Sequence, residues 1–124
     1  MDSTFPNCEK LYRAVLPESS VQMFWKKNGT ISSAALADKK GLSVERGDFR
    51  EDKKVIEEMQ KFFRGCVVSL TVEQCRNVNA VVKYKPSNRS KYHSEIHGSE
   101  DTPLLTRSQR KKLSEVVEME YYEK

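Results

Sequence analysis

A chain of 124 residues, 37% hydrophobic and 32% charged, has the size of one domain and is polar for a fold that must still close a core. No apolar run reaches the roughly 18 residues that a bilayer span takes, and the opening MDSTFPNCEK lacks a basic segment followed by a hydrophobic stretch. The expectation is therefore one α+β domain over residues 1–124, cytoplasmic and without membrane attachment, with residues 1–10 as a flexible tail.

LYRAVL, residues 11–16, alternates as a strand does, and Pro17 stops it because proline cannot donate to a ladder. Residues 18–26 gather Val21, Met23, Phe24 and Trp25 at a spacing that suits a short helix, closed by the turn dipeptide Asn28-Gly29. TISSAALA, residues 30–37, mixes β-branched residues with alanines, and its first half reads as strand. After the turn DKKG, the alternation in LSVER predicts a short strand from Leu42.

Acidic residues open the next segment near Glu51, where they complement a helix dipole. Val55, Ile56, Met59, Phe62 and Phe63 then paint one helical face, with Gly65 as the stop. That stripe reads as core packing. CVVSLTV, residues 66–72, has the β-branched, continuous character of a central strand. Thr71 and Gln74 have capping-box spacing for one helical turn through Arg76, and NAVVKYK, residues 79–85, reads as another strand ended by Pro86. The polar loop SNRSK leads into a strand over 92–97 that stops at Gly98. Thr106 and Gln109 repeat the capping-box spacing and open a basic helix through Leu113, Val116 and Val117. Residues 116–122 fit helix or strand equally. These elements predict a small, mixed or mainly antiparallel sheet packed against two or three helices.

Cys8, Cys66 and Cys75 are odd in number, scattered and without CxxC spacing, so they read as reduced structural thiols. The chain has no GxSxG elbow, no GxGxxG or GxxxxGK[ST] phosphate loop and no HExxH helix. No residue pattern specifies a cofactor.

Three constellations remain. His93, Glu95 and His97 stand at period two, so a strand would project all three from one face, where two imidazoles and a carboxylate suit a divalent transition metal. Positive charge concentrates in residues 83–112, with eight Lys and Arg against three acidic residues. Lys85, Arg89, Lys91 and Arg110 are the expected ligand-binding cations for the phosphates of a nucleotide or nucleic acid, with Tyr84 and Tyr92 near enough to stack on a base and His93 and Glu95 to orient or react. The third grouping is Arg13, Ser32-Ser33 and Glu95, in that chain order.

That order resembles the arginine, serine and glutamate pattern of ADP-ribosyltransferase folds. The resemblance implies that Arg13 holds the phosphates of a nicotinamide cofactor, Ser32 supports the pocket and Glu95 stabilises oxocarbenium charge. The wider order LYRAV, SSAA, GLSVER and HSEI is similar to a family of small uncharacterised bacterial proteins and implies no catalytic residue. The sequence thus leads to a phosphate-ligand protein first. An enzyme acting through Arg13, Ser32, Glu95 and His93, or through a metal, comes second, and an antitoxin-like module with a protein partner third.

Overall fold

The computed structural model describes residues 4–123. Six strands, β1 (Lys10–Val15), β2 (Leu42–Arg46), β3 (Cys66–Thr71), β4 (Val81–Tyr84), β5 (His93–His97) and β6 (Glu118–Tyr121), form one antiparallel sheet in the order β4-β5-β2-β1-β3-β6. Three helices accompany it: α1 (Asp52–Met59), α2 (Val72–Asn77) and α3 (Arg107–Val116). The fold is the α+β domain that the hydrophobic periods predict.

Period-two alternation gives the sheet two unlike faces. Leu11, Val15, Leu42, Val44, Val68, Leu70 and Ile96 project from one and form the main core with Trp25, Ile31, Leu36, Cys75, Leu105 and Leu113. Burying each such side chain fully contributes about 1.5–3 kcal/mol. The opposite face carries Tyr12 and Val67, which pack beneath Val55 and Met59 of α1. It also carries Ser43 and Glu45 on β2 and His93, Glu95 and His97 on β5. Both capping boxes form: Thr71 with Gln74 at α2, and Thr106 with Gln109 at α3.

Four expectations are corrected. Residues 4–9 are not a loose tail: Phe5 and Glu9 are buried, and Glu9 pairs with Arg46 at 2.7 and 2.8 Å. Residues 1–3 of that expectation lie outside the described residues. Residues 18–26 form only a tight helical turn at Gln22–Phe24. Residues 30–33 make a single bridge, Trp25 to Ile31, and then a tight turn at Ser33–Leu36, because the chain folded back at Asn28-Gly29 provides no longer partner. The amphipathic helix ends at Met59, whose carbonyl accepts from both Phe62 and Phe63 (3.0 and 2.9 Å). Gly65 acts beyond the helix: its φ of +107° carries the chain against Val15, whose carbonyl oxygen would lie 2.5 Å from any added Cβ. In the ambiguous tract 116–122, Val116 ends α3 and residues 118–121 close as β6 because Val68 and Ser69 of β3 pair with Met119 and Glu118.

Candidate functional site

The ladder between β1 and β2 covers only Leu11 with Arg46 and Tyr12 with Glu45. Past that point Arg13 Nη1 donates to the Ser43 carbonyl (3.1 Å), satisfying an acceptor that the ladder no longer reaches. A cavity of about 70 Å³ opens there, lined by Tyr12, Arg13, Ala14, Ser43, Val44, Glu45, Met59, Phe63 and His93. Glu45, Met59, Phe63 and His93 also line a wider cleft of about 440 Å³. The end of α1 and the turn after it form one wall with Glu58, Lys61 and Phe62. The loop before β5 forms the other with Ser87, Arg89, Ser90, Lys91 and Tyr92. Its volume falls in the range of small-ligand pockets, roughly 300–1,000 Å³.

Local hydrogen bonds hold the loop wall. Ser87 N donates to Ser90 O (2.9 Å), Tyr92 N to Ser90 Oγ (3.1 Å), and the Tyr84 hydroxyl to Lys91 O (2.7 Å). Ser90 Oγ donates in turn to Glu45 (2.8 Å), tying the loop to β2. Arg50 bridges the two acidic groups of the cleft, reaching Glu58 at 2.5 Å and Glu45 at 3.4 Å while lying 3.4 Å above the Tyr92 ring, and Lys54 adds a second cation on Glu58 at 3.9 Å. Lys61, Arg89 and Lys91 make no ion pair among the described residues. Arg89 lies about 6 Å from the Phe62 and Phe63 rings, and Lys91 Nζ 5.2 Å from that of Tyr92. Phe62 and Phe63 are 55% and 42% exposed, so they form an aromatic surface facing water, where the sequence reading assigned them to the core.

His93 sits where the two cavities meet. Its Nδ1 lies 2.7 Å from the Lys85 carbonyl oxygen. A carbonyl only accepts, so Nδ1 carries the hydrogen and Nε2 keeps its lone pair until the ring is protonated. Glu95 and His97 share the face of His93 but engage each other, Nε2 to Oε1 at 2.8 Å. They pack on Gly41, where an added Cβ would lie 2.6 Å from His97 Nε2. The shared face expected for the metal triad is thus present. Even so, among the described residues no group of three His, Cys, Asp or Glu is disposed to hold a metal ion.

The remaining predicted residues are dispersed. Arg13 lines the small cavity, and burial lowers the pKa of its guanidinium while leaving Nε without a partner. Ser32 donates to the Met23 carbonyl (2.6 Å), and Glu95 pairs with His97. Arg13, Ser32 and Glu95 therefore do not share the lining of either cavity. Lys85 contributes its backbone to the hold on His93. Arg110 donates to the Leu105 carbonyl (2.5 Å) on α3, which Gln109 anchors to the Gly98 carbonyl, at the opposite end of β5 from Arg89 and Lys91. Cleft residues that the sequence reading did not assign to a site include Glu45 and Lys61, which it passed over, and Phe62 and Phe63, which it placed in the core. The available signal was an apolar stripe running past the length of a short helix into charged residues.

The thiols are inert where they are buried: burial pushes Cys75 up to about 12 and raises Cys66, while Cys8 is exposed. No helix of the described residues is long and apolar enough to cross a membrane. No protein-family model, curated protein or solved structure matches the chain.

Proposed function

We propose that the protein binds a phosphate-bearing ligand, a nucleotide or a stretch of nucleic acid, in the cleft between the end of α1 and the loop before β5. The observation that carries this reading is the joint lining of one cavity by three cations, Lys61, Arg89 and Lys91, and by the exposed rings of Phe62 and Phe63. Cations without carboxylate partners attract phosphates, and exposed rings stack on bases with little sequence preference. Arg50 and Lys54 together balance Glu45 and Glu58, so the acids in the lining do not cancel that attraction. Lys85 extends the basic surface of the loop.

Fluorescence anisotropy of a labelled single-stranded oligonucleotide, titrated at several salt concentrations, tests the proposal. For single strands log K falls with log salt by about 0.7 for each phosphate neutralised, so engagement of the three cations gives a slope near −2. Replacing Arg89 with alanine lowers the slope by about 0.7. Affinity that stays constant as salt rises refutes the proposal.

A further inference from the structure

Glu45 and His93 face each other across β2 and β5 as register partners. Side chains so paired in an antiparallel sheet hold their Cβ atoms about 5 Å apart on one face. Both line the cleft, and the Lys85 carbonyl fixes the hydrogen of the imidazole on Nδ1, so that Nε2 carries any proton to be given or taken. An acid and a base side by side, surrounded by cations, are the groups that transfer of a phosphoryl centre uses. The serine hydroxyls of the cleft are taken up in hydrogen bonds that hold the loop wall. The Ser90 hydroxyl donates to Glu45 and accepts from Tyr92 N, the Ser87 hydroxyl donates to the Ser90 carbonyl and accepts from Ser90 N, and no cysteine is in the lining. A ribonucleotide strand brings its own attacking oxygen, the 2′-hydroxyl, already beside its phosphorus.

We infer that the cleft cleaves single-stranded RNA by transphosphorylation, with Glu45 as general base and His93 as general acid. The Glu45 carboxylate takes the proton of the 2′-hydroxyl, and the 2′-oxygen forms a bond to the adjacent phosphorus. The bond from phosphorus to the 5′-oxygen breaks, and the protonated His93 gives its Nε2 hydrogen to that leaving oxygen. The products are a 2′,3′-cyclic phosphate and a free 5′-hydroxyl; no water, metal or oxidant is consumed, and solvent returns the proton from Glu45 to His93. Arg89 and Lys91 hold the phosphate, and Phe62 or Phe63 holds a base. This activity rests on the binding reading above and adds chemistry to it.

The test incubates the protein with a short single-stranded RNA and, in parallel, with the same sequence in all-deoxy form, in the presence of EDTA. The expected result is cleavage of RNA alone, leaving 2′,3′-cyclic phosphate ends. Glu45→Gln and His93→Asn should each lower kcat by about 10²–10⁴-fold, the range for loss of a general acid or base. The asparagine amide still donates to the Lys85 carbonyl and the glutamine still accepts from Ser90, so both variants should keep salt-sensitive binding of the deoxy strand, with Glu45→Gln binding no more weakly than the parent, and circular dichroism spectra like the parent's report that they are folded. Salt-sensitive binding of the deoxy strand with the RNA left intact overturns the inference and leaves the binding reading standing. Cleavage unchanged in either variant, or abolished by EDTA, overturns it too. Failure to bind either strand overturns both.

Discussion

Replacing Glu9 with glutamine tests how the ends of the central strands β1 and β2 are held. Arg46 is 2% exposed, and its Nε and Nη2 meet the two Glu9 oxygens at 2.7 and 2.8 Å, between the Phe5 ring at 4.1 Å and the Tyr84 ring at 5.3 Å. Glu9 also accepts from Asp48 N at 3.1 Å, fixing the turn into α1. Removing one partner of a buried pair leaves an uncompensated charge and costs about 3–5 kcal/mol. For a domain of this size that is a fall in Tm of roughly 10–20 °C. Replacing both together, Glu9→Leu with Arg46→Met, removes the stranded charge and should recover most of the loss. Urea unfolding of Glu9→Leu, of Arg46→Met and of the double variant gives the coupling directly. A loss under about 1 kcal/mol in Glu9→Gln, or a double variant as unstable as the sum of the singles, refutes the reasoning.

Gly41→Ala should lose about 1–3 kcal/mol in urea unfolding, since its φ of +107° is strained for alanine and the new Cβ would meet His97 Nε2 at 2.6 Å; an unchanged midpoint contradicts that contact. Asp52 accepts from the Tyr12 hydroxyl first and from Lys10 second, and these hold its carboxylate below the ordinary value. A depressed folded pKa means that the stabilisation is present above the unfolded value, about 3.9, and is lost as pH falls through the folded one. Asp52→Asn should therefore flatten the acid limb of stability below about pH 4, read by circular dichroism, whereas superimposable acid limbs argue against the assignment. At pH 8 a thiol reagent should label Cys8 alone in the native protein and all three cysteines in denaturant, because burial keeps Cys66 and Cys75 from reacting; rapid native labelling of Cys75 contradicts the packing. Phe63→Ala should leave stability within about 1 kcal/mol, as the ring is exposed, while weakening oligonucleotide binding by about 1–3 kcal/mol if a base stacks on it.

Period and punctuation made much of the fold legible. CVVSLT reads as a buried strand because both of its faces are covered, and Thr71, Gln74, Thr106 and Gln109 mark two helix starts by chemistry confined to four-residue spans. Elements whose state depends on distant partners were not legible in this way. Met119 and Tyr121 alternate with glutamates, and only the presence of β3 beside them makes that tract a strand. Ile31 favours extension, yet one bridge to Trp25 is all the partnership it finds. The site divides along the same line. His93, Arg89 and Lys91 are neighbours in sequence and were recognised together. Glu45 and Phe62 reach the same cleft from a different strand and from the turn after α1, and no local pattern announces that meeting. Arg110, grouped with them by charge alone, is placed by the anchoring of α3 at the far end of β5.

Nuclear magnetic resonance mapping of an isotope-labelled sample titrated with a single-stranded oligonucleotide tests the cleft most directly. The account predicts that amide shifts concentrate at residues 59–63 and 87–93 and diminish with added salt. Shifts centred instead on residues 107–112, or none at all, contradict it.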